Sequence, residues 1–159
     1  MVENNDVQDK IVIRQALKKD AETFFKMIRS LTKYHSEGAE FRATIEDVER
    51  GGFGEFPLYE FWLAEVDRAP LGLATFFLCY STFKGKPSLL LDNLFVKESA
   101  RGVKIGEKLV TKIGCRALEL NCCRIELLVE KNIPTRAFYE KFGSSDTADR
   151  VYSISSKNF

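Results

Sequence analysis

The sequence predicts an α/β fold on a mixed sheet that is antiparallel in its first half. Three observations carry this. The runs "EFWLAEV" and "LGLATFFLCYS" flank the turn "DRAP" and read as an antiparallel hairpin. The near-continuous apolar run "SLLLDNLFV" reads as a central strand buried on both faces. A strand-helix-strand unit follows it, and a right-handed crossover there makes its two strands parallel.

In chain order, residues 1–9 read as a flexible tail and 10–159 as a single domain. "KIVIRQAL" alternates apolar and polar residues, with Ile11 and Ile13 on one face, and reads as the first strand. In "KKDAETFFKMIRSLTKYH", Ala21, Phe24, Phe25, Ile28 and Leu31 recur at helical spacing, and Asp20 can cap the helix. "ATIEDVERGGFG" reads as a second helix, capped by Thr44 and stopped by Gly51 and Gly52. After the hairpin and the apolar strand, "IGEKLVTKIGCRALEL" places Ile105, Leu109, Ile113, Ala117 and Leu120 on one stripe, an amphipathic helix. "CRIELLV" reads as a strand. "IPTRAFYEKFG" reads as a helix with Pro134 in its first turn and Gly143 at its end, and "VYSIS" as a last strand.

Composition narrows the function. With 159 residues there is enough chain for one real core. A formal net charge of +1 lacks the basic bias of a general nucleic-acid binder. Cys79, Cys115, Cys122 and Cys123 form no C-x-x-C pair, and the single histidine, His35, is distant in sequence, so no zinc site is expected. The polar, acidic start "MVENNDVQDK" is not a signal peptide, and no apolar run reaches membrane-spanning length. These features fit a cytoplasmic protein with free, buried thiols.

Chemistry concentrates in "DNLFVKESARGVKIGEKLV", which reads as buried strand, short loop, helix. Loop amides and the positive end of a helix dipole would converge there on an anion, with pyrophosphate a good fit. Gly102 and Gly106 let backbone N–H groups approach phosphate oxygens, and Arg101 adds charge. The Walker and dinucleotide fingerprints are both absent. Two glycines and an arginine before a helix are common, so this motif alone also fits an ordinary loop.

Four segments carry a wider resemblance: "IRQALKKDAETFFKMIRSLTKYH", "GGFGEFPLYEFWLAEV", "LLLDNLFVKESARGVKIGEKLV" and "EKNIPTRAFYEKFGSSD". The second and fourth are the more specific. Over nearly its whole length the chain resembles the GNAT superfamily of N-acetyltransferases, and within it the diamine acetyltransferases and their thialysine-acetylating relatives. The resemblance implies a GNAT-like, mostly antiparallel sheet with a splayed strand pair and helices on both faces. It implies acetyl-CoA as cofactor, a small primary amine as acceptor and a homodimer. The pantetheine would pair with Leu94, Phe95 and Val96. The pyrophosphate would meet Arg101, Gly102, Val103, Lys104, Ile105, Gly106 and Glu107. Asn132, Ile133, Pro134 and Thr135 would close on the cofactor from the other side.

By the same resemblance, Tyr139 of the "FY" pair is the proton donor to the departing thiolate. The alternative for this residue is an amphipathic core tyrosine. Asp92 is the candidate for drawing a proton through water and holding the ammonium. A carboxylate in so apolar a strand is expensive without a task or partner, though a structural carboxylate bonded to backbone stays open. The family usually has two acids here; this chain has Asp92 and Asn93. The family's aromatic-acidic pair after the first helix becomes Tyr34 and His35, so that acid is missing. Glu126, between Ile125 and Leu127, aligns with a substrate-contacting position; it would face either inward or solvent. Fewer acids favour a short amine over a long polycation. The departure of Lys104 from the family's glycine, with the lost acids, also leaves two rivals: a CoA-binding scaffold without activity, and a peptide or protein N-acetyltransferase.

Overall fold

The hairpin forms on a tighter turn than the sequence suggested. In the computed structural model, which describes residues 8–34, 41–127 and 135–144, β2 (Glu60–Val66) and β3 (Ala69–Ser81) pair antiparallel. Only Asp67 and Arg68 connect them, both at positive φ, 50° and 66°. Positive φ at both central residues is the geometry of a two-residue turn whose twist matches the flanking strands. Ala69 and Pro70 therefore open β3; the first positions of a strand tolerate proline.

β1 (Val12–Gln15) pairs antiparallel with β2, β4 (Lys86–Val96) antiparallel with β3, and β5 (Ile125–Leu127) parallel with β4. The order is β1-β2-β3-β4-β5, the mixed sheet expected. The crossover from β4 to β5 carries α3 (Ile105–Glu119). β4 lies between two strands, but its burial is incomplete: Ser88, Leu89, Leu91 and Phe95 are buried, whereas Asp92 is exposed.

Helices cover both faces of this sheet. On one, α1 (Ala21–Leu31) and α2 (Ile45–Phe53) bury Phe24, Met27 and Val48 against Phe61, Leu63, Leu73 and Phe95. The Phe24 and Phe61 rings sit 4.3 Å apart. On the other, α3 buries Ile105, Leu109, Ile113 and Ala117, four of the five residues of its sequence stripe. Leu73 and Gly72 are consecutive on β3, so they face opposite helices.

Two helix ends depart from the sequence reading. α2 is capped by Thr44 as expected: Asp47 N–H donates to Thr44 Oγ1 at 3.1 Å, and Thr44 N–H donates to Asp47 Oδ2 at 2.9 Å. It then runs through Gly51 and Gly52 instead of stopping there. These glycines make room for a ring, since a Cβ on Gly51 would lie 2.9 Å from Tyr59 Cε1. Asp20 stands at the start of α1 but does not cap it with its side chain. Its carboxylate turns back to Leu17 N–H, at 2.7 Å, and takes two bonds from Arg14, at 2.7 and 2.9 Å. Arg14 also donates to both oxygens of Glu65, at 3.0 and 2.6 Å. The sequence stripe could not show that Arg14, on the neighbouring strand, would outbid the helix amides.

Arg14 holds the Asp20 carboxyl below the ordinary carboxylate range, and its own guanidinium is stabilised in return, first by Asp20 and then by Glu65. Asp20 is only 8% exposed. Asp20→Asn should therefore cost about 2 kcal/mol at pH 7, by leaving Arg14 short of a charged acceptor. A depressed folded pKa contributes stability above the unfolded value of 3.8 and loses it as pH falls below about 4. Urea midpoints of wild type and variant should accordingly differ at pH 7 and draw together progressively as pH falls from about 4 through the depressed folded pKa of Asp20.

The chain divides into two compact units, Met1–Leu128 and Val129–Phe159. Everything above belongs to the first. In the second, α4 (Thr135–Glu140) leads to Gly143, where φ is 76° and the amide donates to Glu140 C=O at 3.0 Å. This is the stop expected there. The proposed strand at 151–155 lies outside the described residues.

Candidate active site

The site begins with an irregularity in β4. Thr75 opposes Asn93 and Phe76 opposes Leu91, so Asp92 has no opposite residue and forms a β-bulge. The bulge resets which side chains share a face. Asn93 turns to Thr75 and donates Nδ2–H to its Oγ1 at 2.9 Å. The same amide donates to Asp92 Oδ2. Asp92 itself is exposed. The apolar run suggested a desolvated carboxylate; the extra residue instead swings it out of the sheet, and that burial cost is not incurred.

β5 runs beside the first half of β4. Leu89, Leu90 and Leu91 pair with Ile125, Glu126 and Leu127, so the last described rung lies one residue before the bulge. Beyond it, Leu94 and Val96 are half-buried, and Phe95 is buried in the α1–α2 core. Glu126 points to solvent and is held from two sides. Its carboxylate pairs with Arg124 at 3.0 Å and accepts from Ser88 Oγ at 3.2 Å. It does not face inward as an uncommitted charge.

After Val96 the chain makes a 3₁₀ turn (Glu98–Ala100) and enters α3 through the loop at Arg101–Lys104. Gly102 takes φ 85°, a conformation that favours glycine. Lys104, the residue just before α3, is also left-handed, with φ 64° and ψ 17°. The first helical bond is Lys108 N–H to Lys104 C=O, at 3.0 Å. The amides of Ile105 and Gly106 therefore belong to the turn that has no acceptor within a helix, at its positive end. Glu107 stands in the same turn. Arg101 and Lys104 are exposed, and Val103 is half-buried. Arg101 Nε donates to Val96 C=O at 3.4 Å, across the mouth of the loop. A turn opened by Gly102, a helix start and two cations fit a pyrophosphate.

One residue that was not singled out in the sequence fixes this helix start. A Cβ on Gly72 would lie 2.8 Å from Ile105 Cγ2 and 3.0 Å from the Phe95 carbonyl oxygen. Only glycine lets α3 sit this close to β3. Thr75, which holds Asn93, was missed as well. A threonine inside "LATFFL" was the available signal, since a buried hydroxyl needs a partner.

Tyr139 belongs to the second unit. It is half-buried, its ring meets Phe138 edge-on at 5.0 Å, and burial pushes its phenol above the ordinary value of 10.0. His35, Asn132, Ile133 and Pro134 lie outside the described residues, as do the side chains of Tyr34 and Thr135. Among the described residues no helix is long and apolar enough to cross a membrane. All four cysteines carry free thiols, but none is buried as the sequence suggested: Cys115, on the outer side of α3, and Cys123, in the turn before β5, are exposed, and Cys79 and Cys122 are half-buried.

Comparison with known proteins bears on this geometry. Residues 24–144 match the model of the acetyltransferase (GNAT) family. Thialysine N-epsilon-acetyltransferase from Bos taurus is 29% identical over 148 residues, covering 87% of this chain and 86% of its own. Spermidine/spermine N(1)-acetyltransferase-like protein 1 from Homo sapiens is 26% identical over 87% of this chain, which spans only 21% of that protein. Among solved structures, a possible acetyltransferase from Clostridium difficile superposes with a TM-score of 0.77 at 20% identity, covering 91% of this chain and 97% of that one.

Proposed function

The chain belongs to the acetyltransferase (GNAT) family, and we propose that it transfers the acetyl group of acetyl-CoA to a small primary amine. N-acetyl transfer is the activity of such a chain. The observation that carries the cofactor reading is the left-handed turn at Gly102, which opens onto the positive end of α3 directly after the bulged strand.

The chemistry asks two things of the residues. The amine must attack as the free base, although a free alkylamine has a pKa of about 10.4. Asp92, the exposed bulge residue, holds the ammonium and draws its proton away through water. The amine nitrogen then bonds to the thioester carbonyl carbon as the carbon–sulfur bond breaks. Tyr139 gives its phenolic proton to the departing sulfur, and the second proton lost by the amine nitrogen, as it becomes the amide, restores the phenol. Leu94 and Val96 offer strand backbone to the pantetheine, and the amides of Gly102, Ile105 and Gly106 meet the pyrophosphate. Asn132 and the residues leading into α4 are carried over as further cofactor contacts by the family resemblance alone. The protein acts as a cytoplasmic homodimer.

The acceptor follows from charge. The relatives named above include a thialysine enzyme and a spermidine/spermine-type protein. In this chain Glu126 is engaged by Arg124 and Ser88, Asn93 stands in place of a second acid, and His35 replaces another. A site with few acids suits a lysine-like amine carrying its own carboxylate better than a polycation. A thiol-release screen over spermidine, putrescine, lysine, thialysine and a histone peptide should give the highest kcat/KM on thialysine. A clear preference for spermidine overturns the acceptor assignment, and a preference for the peptide overturns the small-amine reading. Thermal stabilisation by CoA without turnover of any amine would identify a scaffold.

A further inference from the structure

Thr75 is a polar side chain in an apolar place. It is 2% exposed, and Leu73, two residues before it on the same face of β3, is fully buried. A buried hydroxyl is costly without a partner. Its partner is Asn93, whose Nδ2–H donates to Thr75 Oγ1 at 2.9 Å. The two residues stand directly opposite each other, on the last rung before the register shifts. On the next rung Phe76 opposes Leu91, and Asp92 is passed over. The same Asn93 nitrogen donates to Asp92 Oδ2. Chemistry fixes the direction of this amide. An ionised carboxylate only accepts hydrogen bonds, so nitrogen must face Asp92, and the hydroxyl oxygen takes the other hydrogen. Asp92 is exposed and has no residue across the ladder, so its side chain needs a guide. Asn93 can turn about its own bonds. Thr75 cannot: it is β-branched and packed in the core, and it is the fixed point of the chain of bonds.

We propose that Thr75 is a positioning residue for acetyl transfer, fixing through the Asn93 amide the place from which the Asp92 carboxylate meets the amine. This rests on the reading of Asp92 as the group that holds the ammonium and draws off its proton. Thr75 touches neither substrate nor reacting atoms; it acts through Asn93. The arrangement sets direction, because one amide hydrogen is anchored in the core and the other is thereby aimed at the carboxylate. It also leaves the charge of Asp92 intact. A cation in the place of Asn93 would compete with the ammonium for the carboxylate, whereas a neutral amide orients it without adding or cancelling charge. A displacement of about 1 Å in a positioned group is enough to lose up to about 10²-fold in rate. If Asn93 served only to satisfy a buried hydroxyl, turnover would be indifferent to that hydroxyl.

Two substitutions separate position from packing. Thr75→Val keeps the shape and removes the hydroxyl. Thr75→Ser keeps the hydroxyl and removes a buried methyl. Thiol-release kinetics with the best acceptor of the screen above should show kcat/KM for the amine about tenfold lower for Thr75→Val, and within about twofold of wild type for Thr75→Ser. KM for acetyl-CoA should stay within about twofold in both. Stability should run the other way. Thr75→Ser should melt about 3 °C below wild type, and Thr75→Val no lower than Thr75→Ser. Activity then follows the hydroxyl while stability follows the methyl, a pattern that a merely structural threonine does not give. Full kcat/KM in Thr75→Val, or an equal loss in Thr75→Ser, overturns the proposal. Asp92→Asn tests the reading beneath it. That variant should lose activity and make a further Thr75→Val change silent. A Thr75→Val loss that persists undiminished in the Asp92→Asn background overturns the proposal alone. Full activity of Asp92→Asn overturns the reading of Asp92, and the proposal falls with it.

Discussion

Tyr139→Phe should lower kcat by about 10²- to 10³-fold while leaving CoA affinity within a factor of two, because the loss of a positioned acid removes a contribution made only as the thiolate departs. The ring is conserved in shape, so its edge-on packing on Phe138 at 5.0 Å survives. The pH dependence carries a second signature. Rate rises with pH as the acceptor amine loses its proton. A tyrosine of ordinary acidity would begin to lose its own proton near 10 and bend the profile downward. Burial raises the Tyr139 phenol above that value, so the neutral, donating form persists into the alkaline range and the wild-type profile should still climb at pH 10. A thioester whose thiol is more acidic than CoA needs less help to leave. With such a donor the penalty of Tyr139→Phe should shrink. Full activity of the variant with CoA esters at every pH would remove Tyr139 from the chemistry and return it to the role of a packed aromatic.

The sheet was legible in the sequence because its signals are local. The stripe of Ile105, Leu109, Ile113 and Ala117 is a period of side chains, and all four are buried. The parallel step from β4 to β5 follows from a strand-helix-strand order, and the sheet has it. What the sequence concealed depends on which strand lies beside which. Asp20 reads as a helix cap until Arg14 on β1 is placed against it. Gly51 and Gly52 read as a stop until the Tyr59 ring is laid across them. The Asp92 bulge is invisible for the same reason, since an extra residue is defined only by its partner strand. Of the candidate site, the glycine-led loop running from the strand into a helix was readable, and its left-handed Lys104 answers a question of conformation that spelling alone left open. Whether Glu126 is an uncommitted charge was not readable, because that could be judged only once Arg124 and Ser88 were beside it.

Gly72→Val should destabilise the protein by about 3 kcal/mol and weaken CoA binding by more than tenfold, although residue 72 touches no ligand. The argument is steric. The first atom of any side chain at this position would lie 2.8 Å from Ile105 Cγ2, 3.0 Å from the Phe95 carbonyl oxygen and 3.3 Å from Leu109 Cδ1. None of these neighbours can give way cheaply. Ile105 is 1% and Leu109 0% exposed, so neither has space to turn into, and the Phe95 carbonyl belongs to β4 directly across the ladder. Valine is otherwise welcome in a strand, so the loss measures overpacking, which typically costs 1–3 kcal/mol and sometimes more. Relief requires the first turn of α3 to lift off the sheet. That turn carries Lys104, Ile105 and Gly106, and a shift of about 1 Å in positioned groups is enough to lose orders of magnitude in function. Gly72→Ala should give a milder version of both effects. Adding Ile105→Ala to Gly72→Val removes one of the clashing partners, so the double variant should lose less stability than the sum of the two singles. Urea midpoints and CoA titrations on the four proteins test the coupling directly. A stability loss with unchanged CoA affinity would mean that the anion turn is shaped by its own backbone, independently of how α3 rests on β3.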